Sequence, residues 1–407
     1  MIPKRFPLLR FTASLLAFLV LVGCQGEPLD GKDAEVKKFG DGSAGKVTYL
    51  ASGKYHSCAV IDQRIIKCWG RNDFGQLGVS SENTRSLYSS SVPSSSLPVE
   101  VDIKKRIGPI QELALGDSHS CVLAGGAVYC WGKIFQQKDN SLSTPTLIKD
   151  LTDSVEHISA GSEHTCALRK GKILCWGSSE LGSILYGKKT PTPFPWPILL
   201  DIEKGTLAKP ENLFAGGNNI CVLFNDHSWK CLGPVQDEID QTQAASVPAY
   251  SLAVGSNHVC AKTSPWITCW GNNSFYQLGY DYNTFQIRVV TGYPRISEAQ
   301  NVVSNSDHTC AISENGDVGC WGRADSSQLG DDGRSLKLQY FSVPNGGQKA
   351  KQLAVGEKHT CVLYDDRTTV KCWGSNEYGQ LGLARWSWQT MALASDAQPV
   401  QGLTEQN

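Results

Sequence analysis

Short apolar runs broken by turn residues follow one another along most of the chain, and runs of this length predict β-strands, not helices. In Cys310-Ala311-Ile312, Ser313-Glu314-Asn315-Gly316-Asp317, Val318-Gly319-Cys320, two such runs flank an Asn-Gly turn signal, which predicts a β-hairpin. The same unit recurs between residues 52 and 382. It reads Gly, two residues, His-Thr-Cys or His-Ser-Cys, two mostly apolar residues, a turn, then Cys-Trp-Gly. Its copies centre on Cys58 and Cys68, Cys121 and Cys130, Cys166 and Cys175, Cys221 and Cys231, Cys260 and Cys269, Cys310 and Cys320, and Cys361 and Cys372. Self-similarity of this kind predicts a repeat architecture.

Folding each hairpin back sets its two cysteines opposite one another, within the span that a disulfide tolerates. One bridge per hairpin would stabilise by about 2 to 3 kcal/mol, because it restricts the unfolded chain. Zinc is a second chemistry open to the same residues. Residues two apart on a strand share a face, so His308, Cys310 and Cys320 could converge on one ion. Against zinc, no fourth ligand recurs and the fourth copy has Asn219 in place of histidine. His56, His119, His164, His258, His308 and His359 therefore read as structural, hydrogen-bonding neighbouring backbone where units meet. The recurring Trp69, Trp131, Trp176, Trp270, Trp321 and Trp373 read as packing between units, since the apolar Leu232 replaces the indole in the fourth.

Composition narrows the class. The chain has 407 residues, 41% of them hydrophobic, with 40 glycines, which suits a turn-rich β protein. Its 38 basic and 39 acidic residues leave no positive field to gather phosphates, so nucleic acid is not an expected partner. Fifteen cysteines point to an oxidising compartment or to metal. Lys4, Arg5 and Arg10 precede an apolar run at 11–22, too short to span a bilayer, which is the pattern of a signal peptide. The run Leu21-Val22-Gly23-Cys24 resembles the bacterial lipobox, and the resemblance implies that Cys24 becomes a lipidated N-terminus. Setting Cys24 aside leaves 14 cysteines in seven close pairs. The expected organisation is a signal peptide at 1–23, a lipidated cysteine and flexible tether at 24–45, and a repeat body at 46–404. Gln25 after the cysteine suggests the outer membrane of a Gram-negative bacterium, so the expected location is the cell envelope.

Four copies are followed by a further signature: Asn72-Asp73-Phe74-Gly75-Gln76-Leu77-Gly78, Tyr276-Gln277-Leu278-Gly279, Ser327-Gln328-Leu329-Gly330 and Asn376-Glu377-Tyr378-Gly379-Gln380-Leu381-Gly382. With the His-Thr-Cys and Cys-Trp-Gly elements, this resembles the regulator-of-chromosome-condensation repeat in a cysteine-rich bacterial form. The resemblance implies an all-β, seven-bladed β-propeller with mainly four-stranded blades. Copies two and four lack the last run and copy three keeps only Leu181-Gly182, so irregular outer loops are expected there. The segment Gln398-Pro399-Val400-Gln401-Gly402-Leu403 looks like a strand preceding a repeat. If it shared a blade with Val47-Thr48-Tyr49-Leu50, the ring would close by joining the chain's two ends.

No phosphate loop, metalloprotease helix or serine elbow is present, so neither an enzyme nor a cofactor is indicated. A rigid ring with variable loops suits binding. The expected function is a membrane-anchored module, monomeric, recognising a protein or cell-envelope component. Exposed aromatics outside the repeat are the candidate contacts: Phe194, Trp196, Trp386 and Trp388. The Ser-rich stretch 80–96 reads as a mobile insertion. Family resemblance adds inhibition of an envelope hydrolase such as a β-lactamase, and, by fold analogy alone, guanine-nucleotide exchange. Ultraviolet sensing would need tryptophans clustered on one face.

Overall fold

The computed structural model describes residues 45–80, 84, 92–103, 107–134, 141–178, 194–200, 208–235, 247–264, 266–279, 288–290, 299–330, 347–383, 391–392 and 397–404. At 141, 194–196, 288–290 and 391–392 the description covers backbone alone. The expected signal peptide, Cys24, the expected tether up to residue 44, Trp386 and Trp388 lie outside the described residues, as do the side chains of Phe194 and Trp196.

Each repeat folds into one antiparallel sheet whose strands pair in chain order. Blade one runs Val47–Ser52, His56–Ile61, Ile65–Arg71 and Ser94–Glu100. Six further sheets open with Ile110–Leu115, Val155–Ala160, Pro210–Gly216, Ser251–Val254, Asn301–Asn305 and Ala350–Val355. Blades four and six have three strands among the described residues, and the other five have four. Each opening strand touches the opening strand of the next blade, and the seventh touches the first, so the sheets form a closed ring. The Ser-rich stretch is not loop throughout, because Ser94–Glu100 is the outer strand of blade one.

The hairpin register explains the repeat. Cys58 faces Cys68, Ser57 faces Trp69 and His56 faces Gly70, and the equivalent trios recur in every other blade but the fourth. All seven cysteine pairs are bonded, with Cα atoms 4.0 to 4.1 Å apart. These sulfurs are joined to one another, so the zinc alternative has no thiolates. Trp69, Trp131, Trp176, Trp270 and Trp373 are fully buried between sheets. Trp131, for example, packs against Cys58, Val60 and Ile66 of the preceding blade.

The expected closure through a shared blade is not met. Val47–Ser52 is the innermost strand of blade one, whereas Pro399 bridges Lys371 in blade seven. The ends meet across the junction instead. Val47 N–H donates to Arg367 O at 2.7 Å, and Val47, Leu50 and Trp69 share one apolar cluster with Val370, Val400 and Leu403.

Replacing one hairpin pair, Cys310→Ala/Cys320→Ala, is expected to lower unfolding stability by about 2 to 3 kcal/mol. A urea titration reads this directly, and an unmoved midpoint would show that the pair contributes no constraint.

Candidate functional site

The chemistry-bearing side chains of the repeat converge on the blade junctions. His56 Nε2 lies 2.9 Å from Ser120 Oγ of the next blade, His119 Nε2 lies 2.8 Å from Thr165 Oγ1, and His258 Nε2 lies 2.7 Å from Thr309 Oγ1. His308 reaches Thr360 at 3.1 Å, and His359 reaches Ser57 at 2.9 Å, closing the circle. The expected partner was neighbouring backbone. The observed one is the hydroxyl that precedes the next blade's cysteine.

A second contact fixes the direction of these bonds. The Ser120 hydroxyl donates to Gln76 O at 2.9 Å, and the Thr360 hydroxyl donates to Gln328 O at 2.9 Å. A hydroxyl has one proton, so at these junctions the imidazole Nε2–H must be the donor and Nδ1 stays bare. That agrees with Nδ1 of His56 and His308 having no partner. The same carbonyls also accept the next blade's indole: Trp131 Nε1 to Gln76 O at 2.9 Å, and Trp373 Nε1 to Gln328 O at 3.0 Å. Trp321 donates to Gln277 O at 3.0 Å and Trp69 to Gln380 O at 2.9 Å.

The loop signature exists to deliver that carbonyl. Asn72 Oδ1 accepts Leu77 N–H at 2.9 Å, Gln76 Oε1 accepts Phe74 N–H at 2.9 Å, and the loops at Asn273 and Asn376 repeat the first bond. Gly78 has φ +77, and a Cβ there would lie 2.5 Å from Val101 and 3.1 Å from the Trp131 indole nitrogen. In three of the four loops an aromatic stands two places before the Gln and meets a cation following the next blade's Cys-Trp-Gly. Phe74 lies under Lys133 at 5.4 Å, Phe275 under Arg323 at 4.7 Å, and Tyr378 under Arg71 at 5.2 Å.

These loops share one end of the ring with the turns between first and second strands. At the junction of blades seven and one they build a half-exposed polar-aromatic patch. The Tyr55 and Tyr378 rings sit 5.1 Å apart, and Arg71 lies against both while binding Asp73 at 2.9 and 2.6 Å. Lys54 bridges Glu357 at 3.0 Å and Asp117 at 3.4 Å. Burial pushes the Tyr55 phenol up to about 12. Burial likewise holds the Asp117 carboxyl above its ordinary range, against the opposing pull of Lys54. The central channel, about 320 Å³, is lined by the opening strands. Within it Glu112 accepts His157 Nδ1–H at 2.7 Å, which raises the imidazole's proton affinity.

Among the described residues no group of three His, Cys, Asp or Glu is placed to hold a metal ion. The tryptophans of the repeat are buried blade fillers, so they do not make the exposed cluster that light sensing would need. Sequence reasoning missed the Tyr55, Arg71 and Tyr378 patch. Its available signal was the aromatic inside the Asn-x-x-Gly-Gln-Leu-Gly run and the cation after Cys-Trp-Gly.

Two models of the regulator of chromosome condensation (RCC1) repeat match the chain, one over residues 47–76, 155–183 and 350–380 and the other over 68–123. Repeats of this family are thus present in the chain. It is similar to the ultraviolet-B receptor UVR8 of Arabidopsis thaliana, 32% identical over 154 residues, 35% of this chain and 33% of that protein. It is also similar to the probable E3 ubiquitin-protein ligase HERC4 of Rattus norvegicus, 32% identical over 113 residues, 26% of this chain and 10% of that protein. The chain thus spans a third or less of these relatives. The entire ectodomain of the Physcomitrella patens receptor kinase CR4 has the same fold, with TM-score 0.51, 18% identity, and 81% of this chain and 74% of that one covered.

The buried imidazoles set a pH dependence. Burial lowers His56, His258, His308 and His359 to about 3, and His119 and His164 to about 4. The unfolded chain, titrating near 6.5, takes up protons first, so stability is full above about pH 6.5 and falls as pH drops toward 4. The urea midpoint should fall across that interval, and His308→Asn, which copies the natural Asn219, should make the fall shallower. Identical slopes for the two proteins would show that His308 is not buried neutral.

Proposed function

We propose that this protein is an extracytoplasmic binding module, anchored to a membrane through lipid on Cys24, whose loop-bearing face holds a protein or another component of the cell envelope. Cysteine usage carries the reading. Fourteen cysteines are bonded in seven pairs, an economy suited to oxidising compartments, and the remaining one stands at the end of a signal-like apolar run. Acyl chains there would bury methylenes in the bilayer at about 0.8 kcal/mol each.

The contact surface proposed is the patch of Tyr55, Arg71 and Tyr378. Tyrosine and arginine dominate binding energy at interfaces because each combines apolar area with a hydrogen-bonding tip. Here the guanidinium is already held by Asp73 and both rings, so little side-chain freedom remains to be lost on binding. The names of UVR8, a receptor, and of CR4, a receptor kinase with an ectodomain of this fold, support recognition as the role.

Cys24→Ser should move the protein from the membrane to the soluble fraction, and retention in the membrane would remove the lipid anchor. Crosslinking on intact cells should recover at least ten-fold less partner with Tyr55→Ala/Tyr378→Ala, at a temperature where circular dichroism shows both proteins folded, as loss of about 2 kcal/mol per anchor implies. Undiminished recovery would exclude this patch.

A further inference from the structure

We infer that the ring opens between blades three and four, not where the two ends of the chain meet. The seventh-to-first junction is tied in four of the ways described above. It has the His359 to Ser57 bond, the Trp69 to Gln380 bond, the Tyr378 to Arg71 stack and the Lys54 to Glu357 ion pair. Gln352 adds a two-bond clasp, donating to Leu50 O at 2.9 Å and accepting Leu50 N–H at 3.1 Å. A large shared apolar cluster lies beneath them.

Among the described residues the junction between blades three and four lacks the hydroxyl, the indole and the cation. Ile220 stands where five blades have the accepting hydroxyl, Leu232 where the other six have the indole, and Pro234 where three have a cation. At this junction, where the hydroxyl is missing, the His164 ring is oriented differently. Its Cε1 and Nε2 approach Gly161, whereas Cε1 and Nδ1 approach the glycine in blades one, two, five and seven. Its Nε2 is buried without a partner, and its remaining polar contact is with the Asn219 backbone. Two hydrogen bonds remain among the described residues, Ser162 N–H to Gly217 O at 2.7 Å and Ala215 N–H to Ser159 Oγ at 2.8 Å, over an apolar cluster that includes Ile220 and Leu232 and is smaller than the one at the seventh-to-first junction. The next junction is repaired. Asn219 Nδ2 donates to Gly255 O at 3.0 Å and Ser256 O at 2.8 Å, and Trp229 packs on Trp270 at 5.2 Å.

Cooperative opening follows the boundary with the fewest buried contacts to break. The ring supplies its own reporters, because in five blades the turn after the opening strand sends an amide to the next blade. These are Lys54, Asp117, Ser162, Ser256 and Glu357, donating to Gly116, Ser162, Gly217, Ser306 and Lys54 respectively. Amide hydrogen exchange on the oxidised full chain, corrected for intrinsic rates, should find Ser162 at least ten-fold faster than Asp117 and Glu357. Ile220→Thr, which restores the hydroxyl, should slow Ser162 at least three-fold, whereas Ile220→Val should not. Thr165→Val, which removes the hydroxyl at the preceding junction, should speed Asp117 and covers the case in which the Ile220 variants fail to fold. Faster exchange at Glu357 than at Ser162, or equal effects of the two Ile220 variants, would overturn the inference.

Discussion

The bond from a buried, uncharged imidazole to the hydroxyl of the following blade is the constraint on which this ring depends. An imidazole removed from water destabilises the fold unless its N–H is satisfied, so each histidine demands a partner at one position and orientation. Alternation along the strand makes one tripeptide supply both halves of the joint. In His-Thr-Cys the histidine and cysteine face forward, while the hydroxyl between them faces back to receive the preceding imidazole. A unit that gives on one side and receives on the other makes a head-to-tail contact. Such contacts end only when the rotation returns to its start. Seven blades achieve this, with His359 meeting Ser57.

Much of this was legible along the chain. Cysteine spacing gave the hairpins, and the replacement of one tryptophan by Leu232 gave the packing role of the indoles. The hydroxyl partner was less visible, because serine and threonine beside a histidine look like ordinary strand residues until a neighbouring sheet is placed against them. The Gln76 carbonyl was invisible altogether. Backbone oxygens have no residue identity, and the Gln side chain that marks the spot ties only its own loop. The ends misled for a similar reason. Strand-like sequence in 398–403 carries no record of which sheet it joins, and its neighbour proved to be Val370 of blade seven, through Val400 N–H.

Strength is unevenly distributed around the circle. Blade four departs from the repeat at Asn219, Ile220 and Leu232 together, so one altered unit weakens the side from which it receives. The side to which it gives is mended by the carboxamide of Asn219, which bonds backbone carbonyls because Val259 offers no hydroxyl. The aromatic patch stands at the opposite extreme, on the most heavily tied junction. A surface that must present two rings and a guanidinium in fixed geometry is well served by that foundation.

Every sulfur bridge stays inside its own hairpin, with partners only 9 to 11 residues apart. For each thiol the correct mate is the nearest one along the chain, and a short loop is entropically the easiest to close. In an oxidising medium, pairing can therefore proceed hairpin by hairpin, before any blade has met its neighbour. Such a chain has little need of an isomerase to undo mismatched pairs, and a late-folding ring inherits a covalent pattern already correct.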